Sequence, residues 1–384
     1  MITNGIHFRN FQIKKKFKQI TKDLNFILNK KNQVIQSLTS NYKNSFDVKI
    51  LNKYKRLKSF RLIGMGGSSL GAKAIFDFLQ KKIKKNFYFV DDLDVSIENK
   101  KNKNCFNLIV SKSGETLETI VNSNLIINKK EKSLVITENK DNYLHKLAKK
   151  LKAEVIHHNN FIGGRYSVLS ETGMLPAELM GLKSKKFRQL NNLVKNKKYL
   201  NALISNVSST IFFLKKKKYN SIIINYDKSS ENLFFWYQQL IAESLGKKKR
   251  GLMPIVSNMP RDNHSVTQLY LDGFTNNFFT FFFVREKGSQ RIINKNILDS
   301  KKFLRNKRLL DVMYAQKQAT ENVFKRKGIP FRSFEIFKRD EKTLGELFNF
   351  FILETILLGR AINVNPYDQP AVELIKKETK KILI

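Results

Sequence analysis

Cysteine is almost absent from the sequence: Cys105 is the single one in 384 residues. An internal disulfide framework is therefore excluded, and a reducing, cytoplasmic setting is the expectation. Long apolar runs are missing too. Nothing reaches the roughly 18 uninterrupted apolar residues of a membrane span, and the start, MITNGIHFRNFQIKKKF, has neither the apolar stretch nor the small-residue cleavage site of a secretory signal. Neither membrane association nor export is expected. Histidines are few, five in all. His157 and His158 are adjacent, so on a strand they would point to opposite faces, and no cysteine or carboxylate cluster joins them. No metal and no cofactor are expected.

Acidic residues are also scarce, 32 against 72 Lys and Arg, giving a formal charge of +40. Such a charge raises nucleic-acid binding, but its distribution argues against that partner. Lysines recur in nearly every polar segment (14–16, 81–85, 215–218, 247–249) instead of forming one stripe with interleaved aromatics. The pattern reads as a chain rich in lysine and asparagine throughout. Its general positive field would still attract an anionic substrate.

What is present in quantity is core material: 41% hydrophobic residues, including 31 Phe. The length exceeds the usual size of one domain, so two cores are expected. Periodicity predicts an N-terminal helical stretch over 10–38, then strands at 60–63, 87–90, 105–110 and 133–136. A helix opened by Gly66 and Gly67 and running through 79, and helices at 117–127 and 143–151, separate them. After helices at 186–194 and 200–214 the alternation restarts, with strands at 221–225, 252–256, 278–284 and 334–337. Helices are expected at 232–245, 264–271, near 295–327, at 344–361 and at 369–382. This predicts an α/β fold of two parallel sheets flanked by helices. The expected division is 1–50 (helical), 51–185 and 186–345 (the two sheet domains) and 346–384 (closing helices that pack back on the active site). No low-complexity linker separates the halves, so a shared interface is expected, where small-ligand sites are often built.

Six stretches carry chemistry. In VSKSGETLETI, 110–120, an apolar strand runs into Ser111, Lys112, Ser113, Gly114 and Thr116, just before a helix. Free backbone N–H groups and the positive helix end make such a place an anion cradle; a helix cap at Ser113 or Thr116 is the alternative reading. IGMGGSSLGAKA, 63–74, is a second hydroxyl-rich helix start, with Gly66 and Gly67 allowing close backbone approach. Its spacing fits neither a dinucleotide fingerprint nor a P-loop. Two such starts at strand ends of one parallel sheet can converge on one phosphate, which points to a phosphorylated small molecule.

In FIGGRYSVLSETGMLP, 161–176, Arg165 follows two glycines. A guanidinium can stabilise a developing oxyanion or simply pair with a structural carboxylate. In WYQQLIAESLGKK, 236–248, Gln239 and Glu243 share one helix face. A carboxylate among apolar neighbours would have a raised pKa suited to a base; an exposed i,i+4 polar pair is the alternative. His264 opens a predicted helix, as an acid/base group or as a cap. In NPYDQPAVELIKKETK, 365–380, Gln369, Glu373 and Lys376 fall on one face, with Glu373 and Lys376 spaced as a surface ion pair.

In this order the motifs closely resemble those of the glucose-6-phosphate isomerase (phosphoglucose isomerase) family, over about 63–376. GGRYSVLS and YDQPAVELIK are its most specific segments. The resemblance implies two SIS-type αβα sandwich domains and a homodimer whose site lies between domains and at the subunit interface. It implies that Ser68, Ser111, Ser113 and Thr116 hold the sugar phosphate with Lys112 nearby, and that Gly67 and Gly164 line the substrate site. Glu243 would shuttle a proton between C1 and C2, Arg165 would steady the enediolate, and Gln239 and Gln369 would bind hydroxyls. His264, donated by the partner, and Lys376 would open the ring. Ala371, Ile375 and Asn263 depart from the residues usual in the family and bear on substrate preference more than on reaction type. A phosphosugar sensor, and an isomerase that also takes mannose 6-phosphate, are the competing readings.

Overall fold

A computed structural model describes residues 1–13, 17–95, 105–128, 130–286, 289, 291–292 and 301–384. The lysine run 14–16 and the start of the helical region expected from 295 lie outside the described residues.

The first element is a strand, β1 (Ile6–Arg9), not a helix. Ile6 and Phe8 are buried while His7 and Arg9 face outward, the period-2 pattern of an edge strand with one covered face. Four residues are too few for that alternation to stand out, and its pairing partner lies near the far end of the chain. The helical stretch expected over 10–38 is two separate helices, Lys18–Asn29 and Gln33–Ser37.

Strands β2 (Ser59–Ile63), β3 (Asn86–Val90), β4 (Phe106–Val110), β5 (Ser133–Glu138) and β6 (Glu154–His158) form one wholly parallel sheet in the order β3-β2-β4-β5-β6. The sequence reading missed β6. Strands β7 (Asn220–Asn225), β8 (Met253–Asn258), β9 (Asn277–Val284) and β10 (Phe331–Ile336) form the second sheet with β1, in the order β1-β10-β9-β7-β8. It is parallel except for β1, which runs antiparallel to β10 with Ile6 opposite Ile336. Every residue of β4 and of β9 (NFFTFFFV) is buried, as expected of parallel strands covered on both faces.

Helix Glu341–Ala361 lies in the middle of the core. Leu344, Leu347, Phe348, Phe350, Phe351, Ile352 and Leu353 are all without solvent exposure, so it is covered on every side and predominantly apolar, as expected of a buried helix. Phe334 of β10 packs on Phe8, at a ring separation of 4.5 Å, and on Phe350, at 5.3 Å. The last helix, Val372–Leu383, is the opposite case and does not pack back on the molecule: none of its residues is buried.

A buried polar network ties the second sheet to the helices. Glu354 accepts from Arg332, from Asn206 Nδ2 (2.6 Å) and from the Tyr237 hydroxyl (3.1 Å), and Arg332 also donates to Thr280 Oγ1 (2.8 Å) and Asn206 Oδ1 (2.7 Å). Buried charge of this kind is tolerated because each partner is satisfied. The network fixes the rotation of helix Glu231–Leu245 through Tyr237. Gln239 and Glu243 lie roughly on the opposite face of that helix, at the 3.6-residue period, and so are aimed back at the first domain.

Candidate active site

The site begins where β2 and β4, hydrogen-bonded neighbours, end side by side. A Cβ added to Gly64 would lie 2.9 Å from the Val110 carbonyl and 3.2 Å from Ser68 Cβ, so Ser68 is carried against the start of the hydroxyl loop. In that loop Ser111, buried, has its Oγ 2.8 Å from Thr116 Oγ1 and accepts from the Gly114 N–H at 3.2 Å. Gly114 takes φ +68°, the left-handed region that glycine enters without strain. Thr116 precedes helix Leu117–Ile126, yet its side chain makes no cap hydrogen bond. Ser113 is exposed and, among the described residues, accepts only from the Glu115 N–H, at 3.2 Å. Capping therefore does not account for these hydroxyls. The Lys112 ammonium donates to the Asn160 carbonyl at 2.7 Å, and burial pushes its pKa down.

The Gly66–Ser68 turn meets two other segments at van der Waals limits. A Cβ on Gly67 would fall 2.2 Å from Gly164 C and 2.5 Å from Arg165 N; one on Gly66 would meet the Gln239 amide nitrogen at 2.8 Å. The glycines are what allow the first sheet's loop, the Gly-Gly-Arg turn and the helix Glu231–Leu245 to touch.

Arg165 is 2% exposed and uses all of its fork. Nε donates to Ser244 Oγ (2.8 Å), Nη1 to Gln369 Oε1 (2.7 Å) and Glu243 Oε2 (3.3 Å), and Nη2 to the carbonyls of Pro366 (2.7 Å) and Asp368 (2.9 Å). Glu243 Oε1 accepts from Gln239 Nε2 at 2.8 Å, and Gln239 Oε1 is buried without a partner among the described residues. Behind them the Tyr166 hydroxyl donates to the Pro366 carbonyl at 3.0 Å, with its pKa pushed up to about 12 by burial. Glu243 remains about one quarter exposed, at the wall of a cavity of about 780 Å³ also lined by Lys247, Asp368, Gln369 and Pro370.

Two sequence alternatives are thus resolved together. Gln239 and Glu243 do form an i,i+4 pair, but it points into the cleft and not to open solvent. Arg165 does pair with a carboxylate, and that carboxylate is Glu243 itself.

His264 and Lys376 are not brought into this group. His264 ends the turn Arg261–His264 after β8, is exposed, and makes no hydrogen bond among the described residues. The helix expected from 264 begins only at Thr267, because Asp262 closes a tight turn by accepting from the Asn258 N–H at 2.7 Å. Lys376 lies on the exposed last helix and bonds Glu373 at 2.7 Å, the surface pair its spacing allowed. His157 and His158 do face opposite ways, one exposed and one buried. Sequence reasoning gave no role to Ser244, Lys247 or Asp368. Ser244 and Lys247 stand inside the E-S-x-G-K motif, which was the available signal.

The family model described as Phosphoglucose isomerase matches residues 9–384. A glucose-6-phosphate isomerase of Methanocaldococcus jannaschii is 33% identical over 85% of this chain and 85% of its own length, and one of Mycoplasmopsis pulmonis is 32% identical over 89% and 87%. Among solved structures, a Thermus thermophilus hypothetical protein superposes with a TM-score of 0.81 at 22% identity, covering 95% of this chain and 94% of its own. A Chlamydia trachomatis glucose-6-phosphate isomerase gives 0.70 at 18% identity, covering 95% and 74%. At those identities the structures speak to the fold alone.

Proposed function

Since the chain belongs to the phosphoglucose isomerase family, we infer that it is a glucose-6-phosphate isomerase, an aldose–ketose isomerase interconverting glucose 6-phosphate and fructose 6-phosphate in glycolysis and gluconeogenesis. The observation that carries this reading is the hydrogen-bonded group Gln239–Glu243–Arg165–Gln369 standing at a cavity wall, joined through the glycine contacts to the hydroxyl cradle. A phosphorylated sugar anchored at one end of such a site presents its C1–C2 unit to a carboxylate and a guanidinium.

Ser68, Ser111, Ser113 and Thr116 receive the phosphate, helped by the N–H groups opening helix Leu117–Ile126, with Lys112 beside them and Gly67 and Gly164 lining the sugar. Glu243 removes the proton from the carbon next to the carbonyl and returns it to the neighbouring carbon, through a cis-enediol. Arg165 stabilises the oxyanion that forms. Its longest bond, 3.3 Å to Glu243, is the one a substrate oxygen would displace. Gln239, through its unpartnered oxygen, and Gln369 bind hydroxyls.

Ring opening is assigned to His264 and Lys376, which requires a second copy of the chain. In this reading the enzyme is a homodimer and His264 crosses to the neighbouring site. Supporting it are the unbonded, exposed His264 and the uncovered apolar side chains Val372, Leu374, Ile375, Ile382 and Leu383 on the helix that bears Lys376. A cytoplasmic location fits; among the described residues no helix is long and apolar enough to cross a membrane.

Conversion of fructose 6-phosphate to glucose 6-phosphate by the purified protein, with chelator present, tests the activity. Glu243→Gln should lower kcat by roughly 10²–10⁴-fold with KM nearly unchanged, since the amide keeps the contact to Arg165 but cannot take a proton. Full turnover in that variant would refute the assignment of the base.

A further inference from the structure

Lys247 lies two residues beyond helix Glu231–Leu245, and its side chain is only 11% exposed. Its ammonium has three N–H donors and three acceptors: the Ser244 carbonyl at 2.9 Å, the Asn365 carbonyl at 2.5 Å and Asp368 Oδ1 at 3.1 Å. The first is the end of the helix that carries Glu243. The other two belong to 365–369, the segment that carries Gln369.

That segment is neither helix nor strand, so no backbone ladder holds it. Its internal order is one turn, in which Asn365 Oδ1 accepts from the Tyr367 N–H at 3.1 Å and Asn365 Nδ2 donates to Asp368 Oδ2 at 2.9 Å. Downstream it leads directly into a helix with no buried residue, which gives no anchorage. At its centre the segment rests on the core, through the buried Pro366, whose carbonyl accepts from the Tyr166 hydroxyl at 3.0 Å, and through Tyr367, which packs on the Tyr166 ring; around the exposed Asp368, next to Gln369, two cations hold it. Arg165 grips the carbonyls of Pro366 and Asp368 and the amide of Gln369, while Lys247 grips Asn365 and the carboxylate of Asp368.

We propose that Lys247 is a positioning residue, one half of a two-cation clamp that holds Gln369 at the correct distance from Glu243. The inference rests on the reading of Glu243 as base and Gln369 as hydroxyl ligand. The division of labour has a physical reason. Arg165 is asked to release one contact to the reacting oxygen, and an arginine that also held the segment alone would loosen it at that moment. Lys247, whose three donors are already engaged by protein acceptors, keeps the segment fixed while Arg165 turns to the oxyanion.

The test compares wild type, Lys247→Met, Lys247→Arg and Asp368→Asn as full-length proteins, by steady-state kinetics with fructose 6-phosphate and by amide hydrogen exchange. Loss of the clamp weakens binding of a sugar hydroxyl equally in ground and transition states. Lys247→Met should therefore raise KM about tenfold while kcat stays within about threefold. Exchange should quicken in 364–369 and not along helix Glu231–Leu245. Lys247→Arg should restore most of KM, because the charge and donors return. Asp368→Asn, which leaves the ammonium both carbonyls, should show a smaller KM change and serves as the test if Lys247→Met fails to fold. Unchanged KM and exchange in Lys247→Met would overturn the proposal, as would a Lys247→Arg enzyme no better than Lys247→Met. A wild type that turns over neither sugar would instead sink the functional reading, while the exchange comparison would still decide the clamp.

Discussion

Replacing Gly67 by alanine adds a single methyl group at the point where three parts of the site meet. The new Cβ would stand 2.2 Å from Gly164 C, 2.4 Å from Gly164 O and 2.5 Å from Arg165 N. Non-bonded carbons settle about 3.5–4.0 Å apart, so the two turns must separate by about 1.3 Å or more. None of the three obstructing atoms is the end of a flexible side chain. The Arg165 backbone is also held, since its carbonyl accepts from the Trp236 indole at 3.1 Å. Overpacking of this kind costs about 1–3 kcal/mol. With an unfolding entropy of about 2.1 cal/mol/K per residue, a chain of 384 residues loses only about 1–4 °C of melting temperature. The catalytic effect should be larger, because a shift of about 1 Å in reacting geometry can cost about 100-fold. The separation carries Ser68 away from Arg165, pulling the phosphate cradle from the chemistry. A coupled assay of glucose 6-phosphate formation, with calorimetry in parallel, should show kcat/KM reduced about 100-fold in a protein that melts almost normally. Gly164→Ala is the contrast: its Cβ would meet Gly67 Cα at 3.7 Å, an ordinary contact, and its melting temperature should match wild type. Wild-type kcat/KM in Gly67→Ala would refute the reasoning.

Two further predictions concern stability. Glu354→Ala leaves the fully buried Arg332 guanidinium without its carboxylate, and breaking a buried pair in this way should destabilise by about 3–5 kcal/mol in urea titrations; a change below about 1 kcal/mol would show that the network is not a mainstay of the core. For Glu335, burial acts to raise the carboxyl pKa, but the bonds from Lys317 and Arg285 outweigh it and hold the group below the ordinary value of 4.5. A depressed folded pKa gives stability that is complete above the unfolded value and is lost as pH falls through the folded one. Urea midpoints should therefore drop as pH is lowered from about 5 toward 3, and Glu335→Gln, already weaker at neutral pH, should show a shallower decline; parallel curves would remove Glu335 from the acid sensitivity.

The helix-face pairing of Gln239 with Glu243 and the hydroxyls clustered between β4 and helix Leu117–Ile126 were legible in the sequence because both act within a few residues, where backbone periodicity alone dictates neighbours. The same holds for the fully apolar β4 and β9, whose composition announces burial on both faces. β1 was hidden for the converse reason: four residues give too little alternation, and it is a strand only because β10 offers an edge to it. β6 went unread as well, since its burial pattern, with Val155 half-buried and His157 exposed, lacks a continuous apolar run.

Motif order brought Arg165, Glu243 and Gln369 under suspicion together, but nothing local says that one guanidinium spans the 204 positions to Gln369, or that Lys247 bonds the same segment. Those contacts depend on how two sheets and a buried central helix pack, and on glycines that let backbones approach to within a methyl group's width. By itself the sequence determined the periodic elements, the phosphate-type loops and the reacting residue types, since each is set by short-range sterics and hydrogen bonding. The tertiary structure decided which of those residues meet, because side chains far apart in sequence come within bonding distance only when the burial of the whole core holds them there.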